Sequence, residues 1–363
     1  MTELITNPHR RVGLKTIPDL PADPVSTDIA GARRLFALCP AAHETPLRAM
    51  PGLAAAAGVG EILLKDERDR MGLGSFKALG AAYAIAKMAV RRAGGDAEGA
   101  RGALRGVTFV CASAGNHGLS VAAGARLFGA GAVVYLAETV PAGFAARLKE
   151  KGATVVREGA DYDASMSAAL KAAEDNGWYL LSDSSWAGYH EPARDVMEGY
   201  LIMAGEVGDR MGAAPTHIFL QAGVGGLAAA CAAAARALWG DGPVIVVVEP
   251  DRAPALLESI RADRPVHADG PASNMGRLDC KDPSHLALAG LARDADFFTT
   301  IADEDAETAV ATLAGYDIDT SPSGVAGIAG LLTLAPRARE ALGLGDRSRV
   351  LAYISEGPVD AGA

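Results

Sequence analysis

Residues 74 to 80 read Gly74-Ser75-Phe76-Lys77-Ala78-Leu79-Gly80, and they follow the strand-like segment Leu63-Leu64-Lys65-Asp66-Glu67. A strand is therefore expected to lead into a helix near Lys77. A lysine amine is nucleophilic only when it is neutral, and burial against apolar neighbours such as Phe76 and Leu79 favours the neutral form. The alternative is an exposed lysine in the first turn of an amphipathic helix. We expect Lys77 to be desolvated and to hold the aldehyde of a cofactor.

A second polar segment, Ala112-Ser113-Ala114-Gly115-Asn116-His117-Gly118, lies between an apolar run and a helix predicted from Leu119 to Phe128. Backbone N–H groups beside a helix N-terminus attract anions such as a carboxylate, and Asn116 adds an amide donor. His117 could pack near the cofactor or donate a proton, and we assign it the structural role. We expect one substrate-binding loop, made of Ser113, Ala114, Gly115, Asn116 and His117.

A third segment, Gln221-Ala222-Gly223-Val224-Gly225-Gly226, joins a predicted strand to an alanine-rich helix from Leu227 to Trp239. Glycines in such a turn let the backbone approach a phosphate closely, although tight packing alone also favours glycine. We expect the turn not to belong to a dinucleotide site, which requires an acidic residue that binds a ribose at the end of the next strand. Near the C-terminus, Ser355 follows the strand-like run from Val350 to Ile354. Its hydroxyl suits the nitrogen of a pyridine ring.

These four motifs, in this order, resemble the fold type II family of pyridoxal phosphate enzymes, which includes threonine and serine dehydratases, cysteine synthase and tryptophan synthase β. The resemblance covers roughly residues 41 to 357. It implies pyridoxal 5'-phosphate as the cofactor, held covalently by Lys77. It also implies further cofactor contacts from Asn116, Gly223, Val224, Gly225, Gly226 and Ser355.

Several segments resemble one branch, diaminopropionate ammonia-lyase. They are Lys65-Asp66-Glu67, Gly72 to Lys77, Asp183-Ser184-Ser185-Trp186-Ala187-Gly188-Tyr189, Gln221 to Gly225 and Val248-Glu249-Pro250. The resemblance implies that Asp183 removes the α-proton of the L-substrate or binds the terminal ammonium of a diamino acid. Outside the family context, an aspartate before two serines is typical of a helix N-cap or an Asx turn.

Ala114 departs from that branch, where the corresponding residue is an aspartate assigned to the α-proton of the D-substrate. A methyl group cannot accept a proton, so we expect selectivity for the L-configured amino acid. The Ser-Ala-Gly-Asn-His loop also resembles the dehydratases. The expected activity is α,β-elimination from L-2,3-diaminopropionate to pyruvate and ammonia. The alternatives are an L-serine, L-threonine or 3-hydroxyaspartate dehydratase, and an inactive regulatory protein that binds the cofactor.

Apolar strand-like runs alternate with helical ones along the chain, which predicts an α/β fold with two doubly wound parallel sheets. The family's layout implies a larger cofactor-binding domain, residues 1–77 and 196–363, and a smaller domain, residues 78–195, with the cofactor in the cleft between them. The irregular segment 261–283 is a candidate loop over that cleft. We expect segment 94–106 to be a flexible surface insertion.

The amino-acid composition argues against some classes of binding partner. Thirty-four basic residues against 44 acidic ones give a net charge of −10, which argues against binding to nucleic acid or to an anionic membrane. The four cysteines have neither metal-site spacing nor the density of a disulfide scaffold, so we expect reduced, buried thiols and no metal site. The N-terminal residues lack an apolar signal core, which predicts a cytoplasmic protein. The family resemblance implies a homodimer.

Overall fold

The structure is a computed structural model that describes residues 3–113, 115–140 and 142–358. Within these residues the strands are β1 Leu4–Thr6, β2 Leu47–Ala49, β3 Glu61–Asp66, β4 Thr108–Ala112, β5 Gly131–Leu136, β6 Thr154–Arg157, β7 Tyr179–Leu180, β8 His217–Gln221, β9 Val244–Pro250, β10 Phe297–Ile301 and β11 Arg349–Ile354. The helices are α1 Ile29–Phe36, α2 Pro51–Ala57, α3 Lys77–Arg92, α4 Asn116–Leu127, α5 Ala142–Glu150, α6 Tyr162–Asn176, α7 Glu191–Arg210, α8 Gly226–Trp239, α9 Ala255–Ala262, α10 His285–Asp294, α11 Asp303–Ala314, α12 Pro322–Leu332 and α13 Pro336–Leu342.

The strands form two sheets. The larger has the order β1-β10-β9-β8-β11-β3-β2, and the smaller has the order β6-β5-β4-β7. All pairs are parallel except those of the two edge strands β1 and β2. The predicted α/β architecture is confirmed, and β1, β2 and β10 are additions to the predicted strands. The two edge strands have three residues each, too few to show an alternating pattern.

The central strands of the larger sheet are buried on both faces. Strand β8 is buried throughout, and β9 from Ile245 onward, which is why their sequences are nearly continuous apolar runs. Helix α8 covers this sheet and is buried from Gly226 to Ala235. Its alanines allow close approach to α7 and α10, because a small side chain keeps the helix axes near one another. The helix start at Gly226 is thereby fixed against the sheet.

The smaller sheet is built from strands between residues 108 and 180, and α3 packs against both α4 and α7. The domain boundaries at residues 77 and 195 stay a prediction. Segment 94–106 packs on the protein and is not the flexible surface insertion that was expected, since Ala100 and Leu104 are fully buried against the core. Among the described residues, no helix is both long and apolar enough to cross a lipid bilayer.

Candidate active site

The predicted site residues gather where the carboxyl ends of strands from both sheets meet. Strand β8 leads into the glycine turn, β11 into Ser355, and β4 into the loop that begins at Ser113. In open parallel sheets this edge is where ligands bind. The backbone N–H of Phe76 donates to the Ser355 carbonyl at 2.9 Å, so the start of α3 and the end of β11 are joined directly.

Lys77, the first residue of α3, is in contact with Asp183: its Nζ donates a hydrogen bond to Asp183 Oδ2. The Nζ atom lies 5.5 Å from the ring centroid of Phe76, and that ring packs against Tyr200 with centroids 4.9 Å apart. The hydroxyl of Tyr200 is buried without a hydrogen-bond partner in the described residues. The lysine therefore has apolar and aromatic walls and one acidic neighbour.

Asp183 changes the protonation state that was expected for Lys77. Burial lowers the pKa of Lys77, but the Asp183 carboxylate outweighs burial, and the net pKa of Lys77 lies well above its usual value. Burial raises the pKa of Asp183, and the Lys77 charge outweighs it, so that pKa is lowered. The prediction of a neutral lysine is wrong for this state of the chain, because an ion pair favours the charged form of both groups.

The turn from Gly223 to Gly226 forms the N-terminal end of α8. Gly225 has a φ of +100°, which side chains rarely allow, and a β-carbon on Gly223 would lie 3.0 Å from Leu278 Cα. Glycine is favoured at these two positions, because a side chain would strain the backbone at Gly225 and crowd Leu278 at Gly223. A β-carbon on Gly226 would lie 3.9 Å from the Asp183 carbonyl oxygen, which places this turn beside Asp183.

The substrate loop has internal hydrogen bonds. Ser113 Oγ accepts from the backbone N–H groups of Gly115 at 3.2 Å and Gly118 at 3.1 Å. Helix α4 begins at Asn116, three residues earlier than predicted, so Asn116 and His117 belong to its first turn. Ala114 lies outside the described residues, and its expected place in the loop stays a prediction.

The contacts of His117 do not favour a role as a proton donor. Its Nε2 is 2.8 Å from the Leu181 carbonyl oxygen, and its Nδ1 is buried without a partner in the described residues. Burial is the largest effect on its pKa, which is lowered, so the ring is neutral near pH 7. This contact ties α4 to the segment that carries Asp183 and agrees with a structural role.

Glu356 is a buried acidic residue at the site that the sequence reasoning missed. Its Oε2 accepts from Asn116 Nδ2 at 2.6 Å, and its Oε1 accepts from Ser321 Oγ at 2.5 Å. Burial raises its pKa, and the hydrogen bond from Ser321 and the charge of Arg277 counteract this only in part. The sequence signal that could have revealed Glu356 is its position directly after a buried strand and Ser355.

Segment 261–283 also contributes residues that periodicity could not reveal. Arg277 donates its backbone N–H to Ser323 Oγ at 3.1 Å, and its side chain lies against Gly115. Cys280 Sγ lies against Gly223, and burial raises the pKa of this thiol to about 11. Ser321 is the N-cap of α12 and accepts from the Gly324 N–H, whereas Ser323 accepts from the backbone of Arg277. All four thiols were expected to be buried; Cys111 and Cys231 are, whereas Cys39 and Cys280 are partly exposed.

A family model described as "Pyridoxal-phosphate dependent enzyme" matches residues 38–356. The chain belongs to this family. Diaminopropionate ammonia-lyase from Escherichia coli is 31% identical over 340 residues, covering 88% of this chain and 85% of the relative. Its crystal structure with an aminoacrylate-PLP azomethine reaction intermediate superimposes with a TM-score of 0.87 at 28% identity, covering 99% of this chain and 94% of the other. The mouse L-serine dehydratase/L-threonine deaminase is 33% identical over 207 residues, covering 56% of each chain.

The pyridoxal-phosphate dependent family requires an amine, an anion site and a partner for the pyridine nitrogen, and the described residues supply each. Lys77 is the amine, and the turn before α8 offers backbone donors at a helix N-terminus, where a phosphate is favoured. The glycines of this turn carry no side chain that would keep a phosphate away from the backbone. Ser355, at the end of β11, provides the hydroxyl. The donor set fits pyridoxal phosphate.

Proposed function

We propose that this chain is a pyridoxal-phosphate dependent ammonia-lyase that converts L-2,3-diaminopropionate and water to pyruvate and two molecules of ammonia. The observation that carries the proposal is the direct contact between Lys77 and Asp183. It puts an acidic side chain at the lysine that would hold the cofactor, where an α-proton must be removed. The similarity to the Escherichia coli lyase supports the choice of substrate.

The proposed roles follow from the contacts. Lys77 would hold the cofactor, the turn from Gly223 to Gly226 would bind its phosphate, and Asn116 and Ser355 would contact the ring. When bound, pyridoxal phosphate supplies an electron sink for the α-carbon. Asp183 would accept the α-proton or bind the terminal ammonium, and Lys77 is the other candidate base. The substrate loop would hold the carboxylate and orient the α-carbon.

Ammonia as the leaving group needs little help from the protein, because the terminal ammonium leaves already protonated. A hydroxyl leaving group needs a proton donor. Asp183 is unsuitable as that donor, because its lowered pKa keeps the carboxylate ionised. The second candidate is nevertheless a dehydratase of L-serine, L-threonine or 3-hydroxyaspartate. Its support is the Ser-Ala-Gly-Asn-His sequence of the substrate loop and the similarity to the mouse dehydratase.

The deciding experiment is product release by the purified holoenzyme. L-2,3-diaminopropionate, its D-enantiomer, L-serine, L-threonine and 3-hydroxyaspartate are compared, with pyruvate or the other oxo acid measured beside ammonia. We expect two ammonia per pyruvate from the L-diamino acid and little from the D-enantiomer, since Ala114 has no proton acceptor. Comparable turnover of both enantiomers would contradict the predicted selectivity for the L-enantiomer. Preference for a hydroxy amino acid would select the dehydratase, and no turnover with an intact cofactor band would select the regulatory protein.

We further propose a homodimer located in the cytoplasm. An apolar groove of about 300 Å³ supports a subunit contact, since Leu35, Phe36, Met71 and Tyr83 line it beside Leu38, which is 52% exposed. Sedimentation equilibrium would show the mass of two chains, and cell fractionation would show the compartment.

A further inference from the structure

The guanidinium of Arg277 lies against the substrate loop with a donor unused. A β-carbon built on Gly115 would lie 3.0 Å from Nε and 3.4 Å from Cζ of Arg277, so the side chain covers the loop directly. Its Nε is buried and has no hydrogen-bond partner in the described residues. The Glu356 Oε2 atom lies 4.0 Å from Nε, beyond hydrogen-bond distance. A buried guanidinium donor without a partner is costly unless a ligand accepts from it.

The backbone around Arg277 is fixed by hydrogen bonds, which places the start of its side chain beside the substrate loop. Its own N–H donates to Ser323 Oγ, and Leu278 N–H donates to the Met275 carbonyl at 2.7 Å. Further along the segment, Ser273 Oγ donates to Asp303 Oδ1 at 2.6 Å. On the other side, Leu278 packs on Gly223 of the phosphate turn. A fixed backbone reduces the conformational entropy that is lost when a ligand orders the side chain.

The substrate loop by itself has few free donors. The N–H groups of Gly115 and Gly118 already donate to Ser113 Oγ, and Asn116 Nδ2 donates to Glu356. Among the described residues, the backbone N–H groups of Asn116 and His117, in the first turn of α4, are the neutral donors that remain for a carboxylate, and a charged donor has to come from another segment. Arg277 is a cation that lies against the loop, and its planar guanidinium matches the two oxygens of a carboxylate.

We propose that Arg277 binds a carboxylate of the amino-acid substrate, an inference that rests on the proposed function. The carboxylate could be the α-carboxylate, which all candidate substrates share, or a side-chain carboxylate such as that of 3-hydroxyaspartate. In the second case Arg277 would set the substrate class. Glu356 does not block this role, because its oxygens already accept from Asn116 and Ser321 and leave Arg277 without a hydrogen bond.

The first test is steady-state kinetics of the holoenzyme with Arg277→Gln and Arg277→Lys. Loss of a charge-assisted hydrogen bond predicts a rise in KM of about 10- to 100-fold in Arg277→Gln, with a smaller change in kcat. Arg277→Lys keeps the charge without the fork and should recover part of the affinity. Arg264→Gln is the matched control, since Arg264 is an exposed arginine of the same segment. A KM in both Arg277 variants equal to that of the control would overturn the proposal.

The second test separates this inference from the proposed function, because it needs no elimination. L-alanine, L-alaninamide and L-aspartate have no β-leaving group, and their binding is followed through the cofactor absorption band. An α-carboxylate contact predicts weaker binding of L-alanine and L-aspartate to Arg277→Gln, with L-alaninamide unaffected. A side-chain contact predicts a loss for L-aspartate alone. Equal binding of all three to wild type, control and both Arg277 variants would refute the contact, even if the enzyme turns out to be a dehydratase.

Discussion

At the scale of single residues, the Lys77–Asp183 pair shows how one contact changes the chemistry of both groups. A buried lysine among apolar walls would lose its proton easily, but a carboxylate beside it retains the ammonium. Attachment to an aldehyde then requires a proton to leave Lys77, and Asp183 is the nearest acceptor. Because the pKa of Lys77 is raised and that of Asp183 is lowered, the proton stays on Lys77 until the aldehyde or solvent changes this balance.

Asp183→Asn tests this pair. We expect activity to fall by about 100- to 10,000-fold, because a base within hydrogen-bond reach of its proton contributes that much to the rate. Loss of the carboxylate also removes what raises the pKa of Lys77, so pyridoxal phosphate should associate faster at neutral pH. Stopped-flow absorbance measures association, and product release measures activity. Asp175→Asn, at an exposed ion pair with Lys171, is the control and should match wild type. Slower cofactor association in Asp183→Asn would contradict the assignment.

At the scale of elements, Glu249 connects the end of β9 to the start of α9. Its two carboxyl oxygens accept from the N–H groups of Leu256 and Leu257, each at 2.8 Å, and the side chain is fully buried. Burial raises its pKa to about 8, and the two backbone donors offset burial only in part. The motif Val248-Glu249-Pro250 is thus a helix anchor with an unusually basic carboxylate, and no contact with the site is needed to explain it.

Glu249 predicts a pH-dependent stability. Between its ordinary pKa of 4.5 and about 8, the folded chain retains a proton that the unfolded chain releases, so stability falls as pH rises through this window. In Glu249→Gln this fall should be smaller by about 2 to 4 kcal/mol. Urea unfolding of both proteins at pH 5 and pH 8 measures it. Parallel pH profiles for the two proteins would show that Glu249 is ionised throughout.

At the scale of the whole molecule, a buried ionic network joins segments far apart in the chain. Arg70 is fully buried and donates to both carboxylates of Glu67 and Glu206, while Lys65 donates to Glu206 at 2.5 Å. Thr45 completes it with a 2.6 Å hydrogen bond to Glu67. The network ties the end of β3 to α7, just before the segment that carries Lys77.

Arg70→Met should leave the buried carboxylates of Glu67 and Glu206 without their main positively charged partner. We expect a loss of about 3 to 5 kcal/mol in the free energy of unfolding, because breaking a buried pair costs more than the pair contributes. The control is Arg34→Met, an exposed arginine on α1, where a change within about 0.5 kcal/mol is expected. Chemical unfolding of both variants measures the difference. An Arg70→Met protein as stable as the control would mean that water or rearrangement satisfies the carboxylates.

Local patterns were sufficient where one segment defines both the element and its chemistry. The alternation of strand and helix, the glycine turn before α8 and the position of Lys77 at the start of α3 all follow from neighbours in sequence. The start of α4 was three residues late in the prediction, because Asn116, His117 and Gly118 are polar or small and carry no apolar period. The fold class and the family were therefore accessible from the chain alone.

Only the tertiary structure decided which charges meet. The protonation of Lys77 depends on Asp183, 106 residues away, and the place of Arg277 depends on Gly115 and Glu356 in two other segments. Lys65, Glu67 and Arg70 are buried because Glu206 of α7 completes the balance of their charges. Periodicity records which face of an element is apolar, whereas a pKa and an unused donor depend on distances of a few ångströms that folding alone sets.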